Sequence, residues 1–240
     1  MKIKEATFLT KEPLGLLPFY RDGLRFPVVT AEEDQLVVQA GDTALRFVRW
    51  ELGASEEEAE SRLVRSYEGQ STPYYHFAFN IPENKLDEAK GWIETVTELG
   101  MEAGRDISRS EAWNSDSVYF MDPAGNILEL IARHTMDNGI QRPFDPDRDL
   151  QCLSEIGLPT RNVAYAVDHL EAIGIGSYQG RNDSFNPVGD EEGMFIVVQP
   201  GRRWHFTNLT AECYPFEVFV EGVGKLFLAE DEQGLKLQRN

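Results

Sequence analysis

Tyr119-Phe120-Met121-Asp122-Pro123-Ala124-Gly125-Asn126-Ile127-Leu128-Glu129-Leu130 is the stretch on which the reading of the whole chain turns. An apolar-rich run enters an Asp-Pro-Ala-Gly-Asn turn and a second run leaves it. Proline presets a turn dihedral, and glycine and asparagine tolerate positive φ, so the two runs are expected to fold back as a hairpin. In the exit strand Glu129 interrupts Ile127, Leu128, Leu130 and Ile131. A carboxylate inside such a run needs a partner, because burying it alone is far too costly. A bound cation is one such partner.

Working outward, 240 residues suffice for a sizeable core, as one large domain or two small ones. The apolar and aromatic content is that of a folded globular protein. No run of about 18 apolar residues exists, and no transmembrane helix is expected. Met1-Lys2-Ile3-Lys4-Glu5 lacks the apolar stretch of a signal peptide, and a cytoplasmic location is the expectation. Two cysteines, Cys152 and Cys213, make no disulfide framework and read as reduced, buried bystanders. The formal charge of −18 argues against nucleic acid and anionic membranes as partners. The acidic cluster Glu56-Glu57-Glu58 and Glu60 reads as a solvated helix start.

Upstream of the hairpin, strands are expected at Ile3–Leu9, Phe26–Val29, Gln35–Gln39 and Thr43–Trp50. A short helical segment at 16–24 comes after the first of them, with Pro18 breaking it or opening it. This is β-α-β-β-β. A polar connector over 51–69 carries a helix from Ser55, with Glu58 in a capping box. A strand at Tyr74–Ile81 comes next. A helix follows on the spacing of Leu86, Ala89, Ile93, Val96 and Leu99, ended by Gly100. Strands near 101–106, 117–121 and 127–133 repeat the pattern about 70 residues downstream. A polar, proline-containing linker spans 137–149. Beyond it a strand at Cys152–Leu158, a helix on Val163, Ala166, Val167, Leu170 and Ile173, and a strand at Met194–Val198 give a third copy. Strands at 216–221, 225–229 and 235–238 read as a degenerate fourth unit with no helix. The domain reading is therefore 1–136, a linker at 137–149, and 150–240. Repeated βαβββ modules imply an α+β fold whose sheets curl around a cup.

The repeat resembles the vicinal oxygen chelate superfamily, which contains glyoxalase I, bleomycin and fosfomycin resistance proteins and extradiol dioxygenases. Phe19-Tyr20-Arg21-Asp22-Gly23-Leu24 looks like that family's helix-end signature, and Asp122 to Leu130 like its terminal hairpin. In that family two modules pair into a cup, and metal ligands project from the first strand of each module and the last strand of one or both. Superposing the repeats sets Glu5 over His76 and Glu155, and sets Leu45 and Val197 over Glu129. The resemblance thus implies metal ligands Glu5, His76 and Glu129, with Leu45 where a fourth could stand. Glu129 (or Glu5) is the implied proton carrier. Glu155 and Glu217 begin comparable strands, but Val197 offers them no partner carboxylate, so no second metal site is expected.

One imidazole and two carboxylates suit Mn²⁺, Fe²⁺, Ni²⁺ or Zn²⁺. Three protein ligands leave coordination positions for substrate oxygens. Tyr74, Phe79, Trp113 and Asn114 are candidates for lining the cup, together with Tyr75. His134, His169 and His205 read as surface or capping residues. The expected function is a divalent-metal enzyme acting on a small oxygen-rich molecule by lyase, isomerase, thiol-transfer or ring-cleaving chemistry. The alternative is a metal-free binding or sequestering protein of the bleomycin-resistance type. Modules one and two would pair within the chain or across a homodimer.

Overall fold

The computed structural model describes residues 1–50 and 71–239. The connector expected over 51–69, with its helix and its acidic cluster, lies outside the described residues. The first module comprises β1 (Ile3–Thr10), a 3₁₀ turn (Pro13–Leu16), a π-helical turn (Pro18–Gly23), β2 (Val28–Ala31), β3 (Gln35–Ala40) and β4 (Thr43–Arg49). Pro18 occupies the first turn of the π-helical segment, where its missing N–H costs nothing. The second module is β5 (His76–Ile81), α1 (Leu86–Ile93), β6 (Ser108–Ser110), β7 (Ser115–Met121) and β8 (Ile127–Arg133). A one-turn helix, α2 (Pro146–Asp149), sits in the linker. The third module is β9 (Cys152–Pro159), α3 (Val163–Ala172), β10 (Phe185–Asp190) and β11 (Gly193–Val198). Three strands close the chain: β12 (Phe216–Val220), β13 (Gly224–Ala229) and β14 (Lys236–Arg239).

Three elements depart from expectation for local reasons. Helix α1 stops at Ile93, not at Leu99. The Thr95 hydroxyl donates to the Trp92 carbonyl at 2.7 Å, competing for a helix acceptor, and Leu99 bridges to Phe120 instead. Residues 101–106 form a turn, with Ala103 and Gly104 at φ of 50° and 74°. Strand β10 was not expected, because it contains Pro187. It lies at a sheet edge, where a missing backbone donor is tolerated.

The strands make two seven-stranded mixed sheets, in the orders β14-β13-β12-β1-β4-β3-β2 and β10-β11-β9-β5-β8-β7-β6. The first module therefore pairs with the last three strands through antiparallel β1 and β12. The second pairs with the third through antiparallel β5 and β9. Both sheets take strands from either side of the 137–149 linker.

Period-two alternation gives each sheet two unlike faces. Along β5, Phe77 and Phe79 enter the large core between the sheets. Phe8 of the first sheet stacks on Phe77 of the second with centroids 5.0 Å apart, and Phe26 meets Phe79 edge-on at 5.5 Å. Helices α1 and α3 add Ala89, Ile93, Val167 and Leu170 to the same core. His76 and Ala78 point the other way, into the concave face of the second sheet.

The Asp122 turn ties these layers together. Its Oδ1 accepts from the Ala124 and Asn126 amides, both at 2.9 Å. Its Oδ2 accepts from the Asn126 side chain and from the Tyr20 hydroxyl, both at 2.8 Å. Asp122→Ala strips four bonds from a buried site and leaves donors unpaired, and is expected to cost about 3 kcal/mol or more in urea unfolding. Tyr20→Phe, which removes one of the four, is expected to cost about 1 kcal/mol. Equal losses would show that the turn is not held by the carboxylate.

Candidate metal centre

The same turn sets the register that places Glu129. Gly125 takes φ of 88°, which a side chain would strain. Asn126 accepts the Tyr75 amide through Oδ1 at 2.9 Å, and the Ile127 amide donates to the Tyr75 carbonyl at 2.8 Å. Those bonds pin β8 beside β5 with His76 opposite Ile127 and Ala78 opposite Glu129. All seven residues of β8 are buried. Leu128, Leu130 and Ala132 face the core, while Ile127, Glu129, Ile131 and Arg133 alternate with them toward the concave face. Glu129 thus lies beside His76 on the concave face, and it is only 3 % exposed.

Strand β9 brings the third member. Its pairing with β5 sets Ala78 opposite Glu155, whose side chain also enters the cup. His76, Glu129 and Glu155 each offer a donor atom, all within 4.8 Å of one another. The His76 Nδ1 donates to the Ile127 carbonyl at 3.2 Å, which leaves the lone pair on Nε2. Nε2 faces Oε2 of Glu129 at 3.6 Å, too long for a hydrogen bond. Burial pushes the imidazole down to about 4, so it is neutral. Burial, and then the neighbouring Glu155, push Glu129 up to about 8, against hydrogen bonds from Ser117 and Tyr119. Glu155 is also raised by burial, though the Arg133 guanidinium beside it pulls the other way. Arg133 is fully buried, donates through Nε to Asn80 at 3.2 Å, and carries Trp113 against its guanidinium.

The cup has a cover. Between β11 and β12 the chain makes a small hairpin, in which the Gly201 amide donates to the Ala211 carbonyl, the Ala211 amide to the Arg202 carbonyl and the Trp204 amide to the Leu209 carbonyl. Alternation lays Arg202, Trp204 and Phe206 over the cup. Trp204 packs on the His76 ring at 4.7 Å, and Phe206 stacks on Tyr119 at 5.1 Å. Beneath the cover lies a cavity of about 150 Å³. His76, Glu129 and Glu155 are at its base, four serines (108, 110, 115 and 117) are on one wall, and Arg202 and Arg203 also line it.

The residues expected at the site are distributed as follows. His76 and Glu129 come together, and Trp113 lines the cavity. Glu5 does not join them. It lies in the other sheet, half-exposed, 3.4 Å from Arg46. Phe79 faces the core, Tyr74 donates to the Thr210 carbonyl at the foot of the cover, and Asn114 turns the β6–β7 loop at φ of 46°. None of these three lines the cavity. His205, read as a surface residue, is exposed at the cavity mouth.

Glu155 is the residue that sequence reasoning passed over, and the signal was present, since the repeat sets it over His76. Superposing the turns puts Val197 in the place of its partner acid. The ladders correct that superposition. Ala78 opposes Glu129, Thr7 opposes Arg46, and Gly157 opposes Ile196. The counterparts of Glu129 are therefore Arg46 and Ile196, while Leu45 and Val197 face the core. The turn after Ala40 and the turn after Asp190 hold two residues and that after Met121 holds five, so matching turn glycines slips the ladders by one.

Gly157 makes room for the cover. A Cβ there would lie 2.8 Å from the Trp204 ring. Gly157→Ala is expected to displace Trp204, costing about 1–3 kcal/mol and changing the tryptophan emission. Unchanged emission and stability would mean that Trp204 is not seated on the strand.

No protein-family model and no curated protein sequence matches the chain. Solved structures do. A Bacillus subtilis protein provisionally assigned as a dioxygenase superposes with a TM-score of 0.56 at 19 % identity, over 82 % of this chain. The match spans 63 % of that protein's length. A lactoylglutathione lyase from Agrobacterium tumefaciens matches at 22 % identity over 54 % of this chain and 91 % of its own, with a TM-score of 0.42. A glyoxalase/bleomycin resistance protein/dioxygenase from Nocardioides matches at 14 % over 59 % and 89 %, with a TM-score of 0.44. The βαβββ modules, the mixed sheets and the likeness to the Bacillus subtilis structure show that the chain has the fold of the vicinal oxygen chelate superfamily.

Proposed function

We propose that His76, Glu129 and Glu155 hold a divalent metal ion, and that the protein is an enzyme acting on a small molecule with two adjacent oxygens. The observation that carries this reading is the approach of a lone-pair nitrogen to a carboxylate oxygen at 3.6 Å, with a second carboxylate inside the same 4.8 Å. Two ligands on one ion with bonds of about 2.0–2.2 Å stand about 3–3.5 Å apart, close to the 3.6 Å between His76 and Glu129. The donor set fits as well: one imidazole and two carboxylates suit Mn²⁺, Fe²⁺, Ni²⁺ or Zn²⁺.

Such an ion supplies Lewis-acid polarisation of a substrate oxygen. The protein's own residues do the rest. The Ile127 carbonyl fixes the His76 tautomer, and Arg133 fixes the Glu155 carboxylate. Glu129 faces no cationic side chain at hydrogen-bonding range among the described residues, and it is the group placed to hold or pass a proton at Oε2. The serine wall orients substrate oxygens, and Trp204 keeps water from the imidazole face. A single histidine among the donors favours lyase, isomerase or addition chemistry over ring cleavage, whose usual set is two histidines and one carboxylate.

Purified protein incubated with Mn²⁺, Fe²⁺, Ni²⁺ or Zn²⁺ and dialysed is expected to retain about one ion per chain, read by elemental analysis. His76→Ala, Glu129→Gln and Glu155→Gln are each expected to weaken retention about 100-fold or more, and Glu5→Gln to leave it unchanged. Protein that stays metal-free under these conditions would support the metal-free binding alternative. Loss of metal in Glu5→Gln would restore the ligand set implied by the resemblance.

A further inference from the structure

Arg202 is a cavity-lining cation that the proposed metal centre does not use. In a chain of net charge −18, arginines ordinarily find acids. Its neighbour Arg203 does so, binding Glu102 and also donating to the Thr207 carbonyl at 3.0 Å. Arg202 pairs with no carboxylate among the described residues. Its guanidinium instead lies on the Phe185 ring, 4.8 Å from the centroid. Stacking engages the flat face of a guanidinium and leaves its in-plane N–H donors free.

The backbone holds this arrangement in place. Arg202 N–H donates to the Gln199 carbonyl at 3.4 Å, and the Arg202 carbonyl accepts from Ala211 at 2.7 Å. The same hairpin is anchored through Trp204 and Phe206, so Arg202 is carried on a fixed support. His205 reports the local field. Burial lowers its affinity for a proton first, and Arg202 and Arg203 lower it further. At the mouth of the cavity Glu102 thus offsets Arg203, and among the described residues Arg202 is left as the uncompensated cation above an acidic base.

We infer that Arg202 is an anion subsite, and that the substrate is a compact 2-hydroxy or 2-oxo acid carrying a second, distal anionic group. This rests on the metal reading above. The adjacent oxygens of the acid would meet the three-donor centre, the serine hydroxyls would take intervening polar atoms, and the distal carboxylate or phosphonate would reach Arg202. Size limits the candidates, since a cavity of about 150 Å³ is the size that takes up a benzene-sized molecule. A planar guanidinium with free in-plane donors accepts a carboxylate or a phosphonate in bidentate fashion, so both belong to the class.

The probes are malate, its 4-amide, in which the distal carboxylate is neutral at nearly unchanged shape, and 2-hydroxy-3-phosphonopropionate. Binding is read by quenching of Trp113 and Trp204, which line the cavity. Mn²⁺ binding alone is measured first by calorimetry and is expected to be equal in the wild type and in Arg202→Gln. With Mn²⁺ bound, malate or the phosphonate is expected to bind at least about tenfold tighter than the amide, a difference of about 1.4 kcal/mol. Arg202→Gln is expected to bring that ratio near one, and Arg203→Gln to leave it intact. A ratio near one in the wild type, or a collapse with Arg203→Gln alone, would overturn the inference while the metal reading stands. Absence of Mn²⁺ binding would overturn the metal reading. The subsite is then judged on metal-free protein, where an Arg202-dependent preference for malate upholds it and a ratio near one overturns it.

Discussion

The antiparallel pairing of β5 with β9 is the constraint on which the site depends. Phe77 opposes Ile156 and Ala78 opposes Glu155, so the second and third modules meet about a local twofold between Phe77 and Ile156. The meeting of His76 with Glu155 follows from that junction. It turns His76 and Glu155, equivalent residues of two modules, toward a common point. It also sends Phe77 and Ile156 into the opposite core, where aromatic packing across the two sheets holds the junction rigid. The small residues Ala78 and Gly157 beside the donors leave space for side chains rather than filling it.

The first sheet shows the same geometry used differently. Glu5 holds the position of His76, but the counterpart of Glu129 there is Arg46, which lies against Glu5 and donates to Gln35 at 2.6 Å. An acid facing an arginine is a satisfied pair and has no need of an ion. Two acids and a neutral imidazole buried together must either keep a proton or take up positive charge, and Arg133 supplies one such charge beside Glu155. The two sheets thus differ in chemistry at two register positions, where Glu5 and Arg46 stand for His76 and Glu129.

The cover adds a second layer of specialisation outside the repeat. A hairpin between β11 and β12 has no counterpart among the described residues of the other modules, yet it contributes Trp204 to the imidazole face and Arg202 to the cavity wall. Its attachment is part aromatic, through Trp204 and Phe206, and part electrostatic, through Arg203 and Glu102. A cavity with His76, Glu129 and Glu155 at its base and Arg202 on its wall is polarised along its depth.

Much of this was legible in the chain. The Asp-Pro-Ala-Gly-Asn turn, the anomalous Glu129, the β-α-β-β-β repeat and His76 at the head of an apolar strand are local patterns, and local patterns are written in residue spacing. The end of α1 and strand β10 were less legible, because a threonine hydroxyl and an edge-strand proline act against the simple periodicities. Which modules pair was not written there at all. Sheet partnership is a long-range choice among interchangeable strand edges. Only the assembled structure joins the second module to the third, brings Glu155 beside His76 and Glu129 while Glu5 lies in the other sheet, and reveals the register that makes Ile196 and Arg46, not Val197 and Leu45, the counterparts of Glu129.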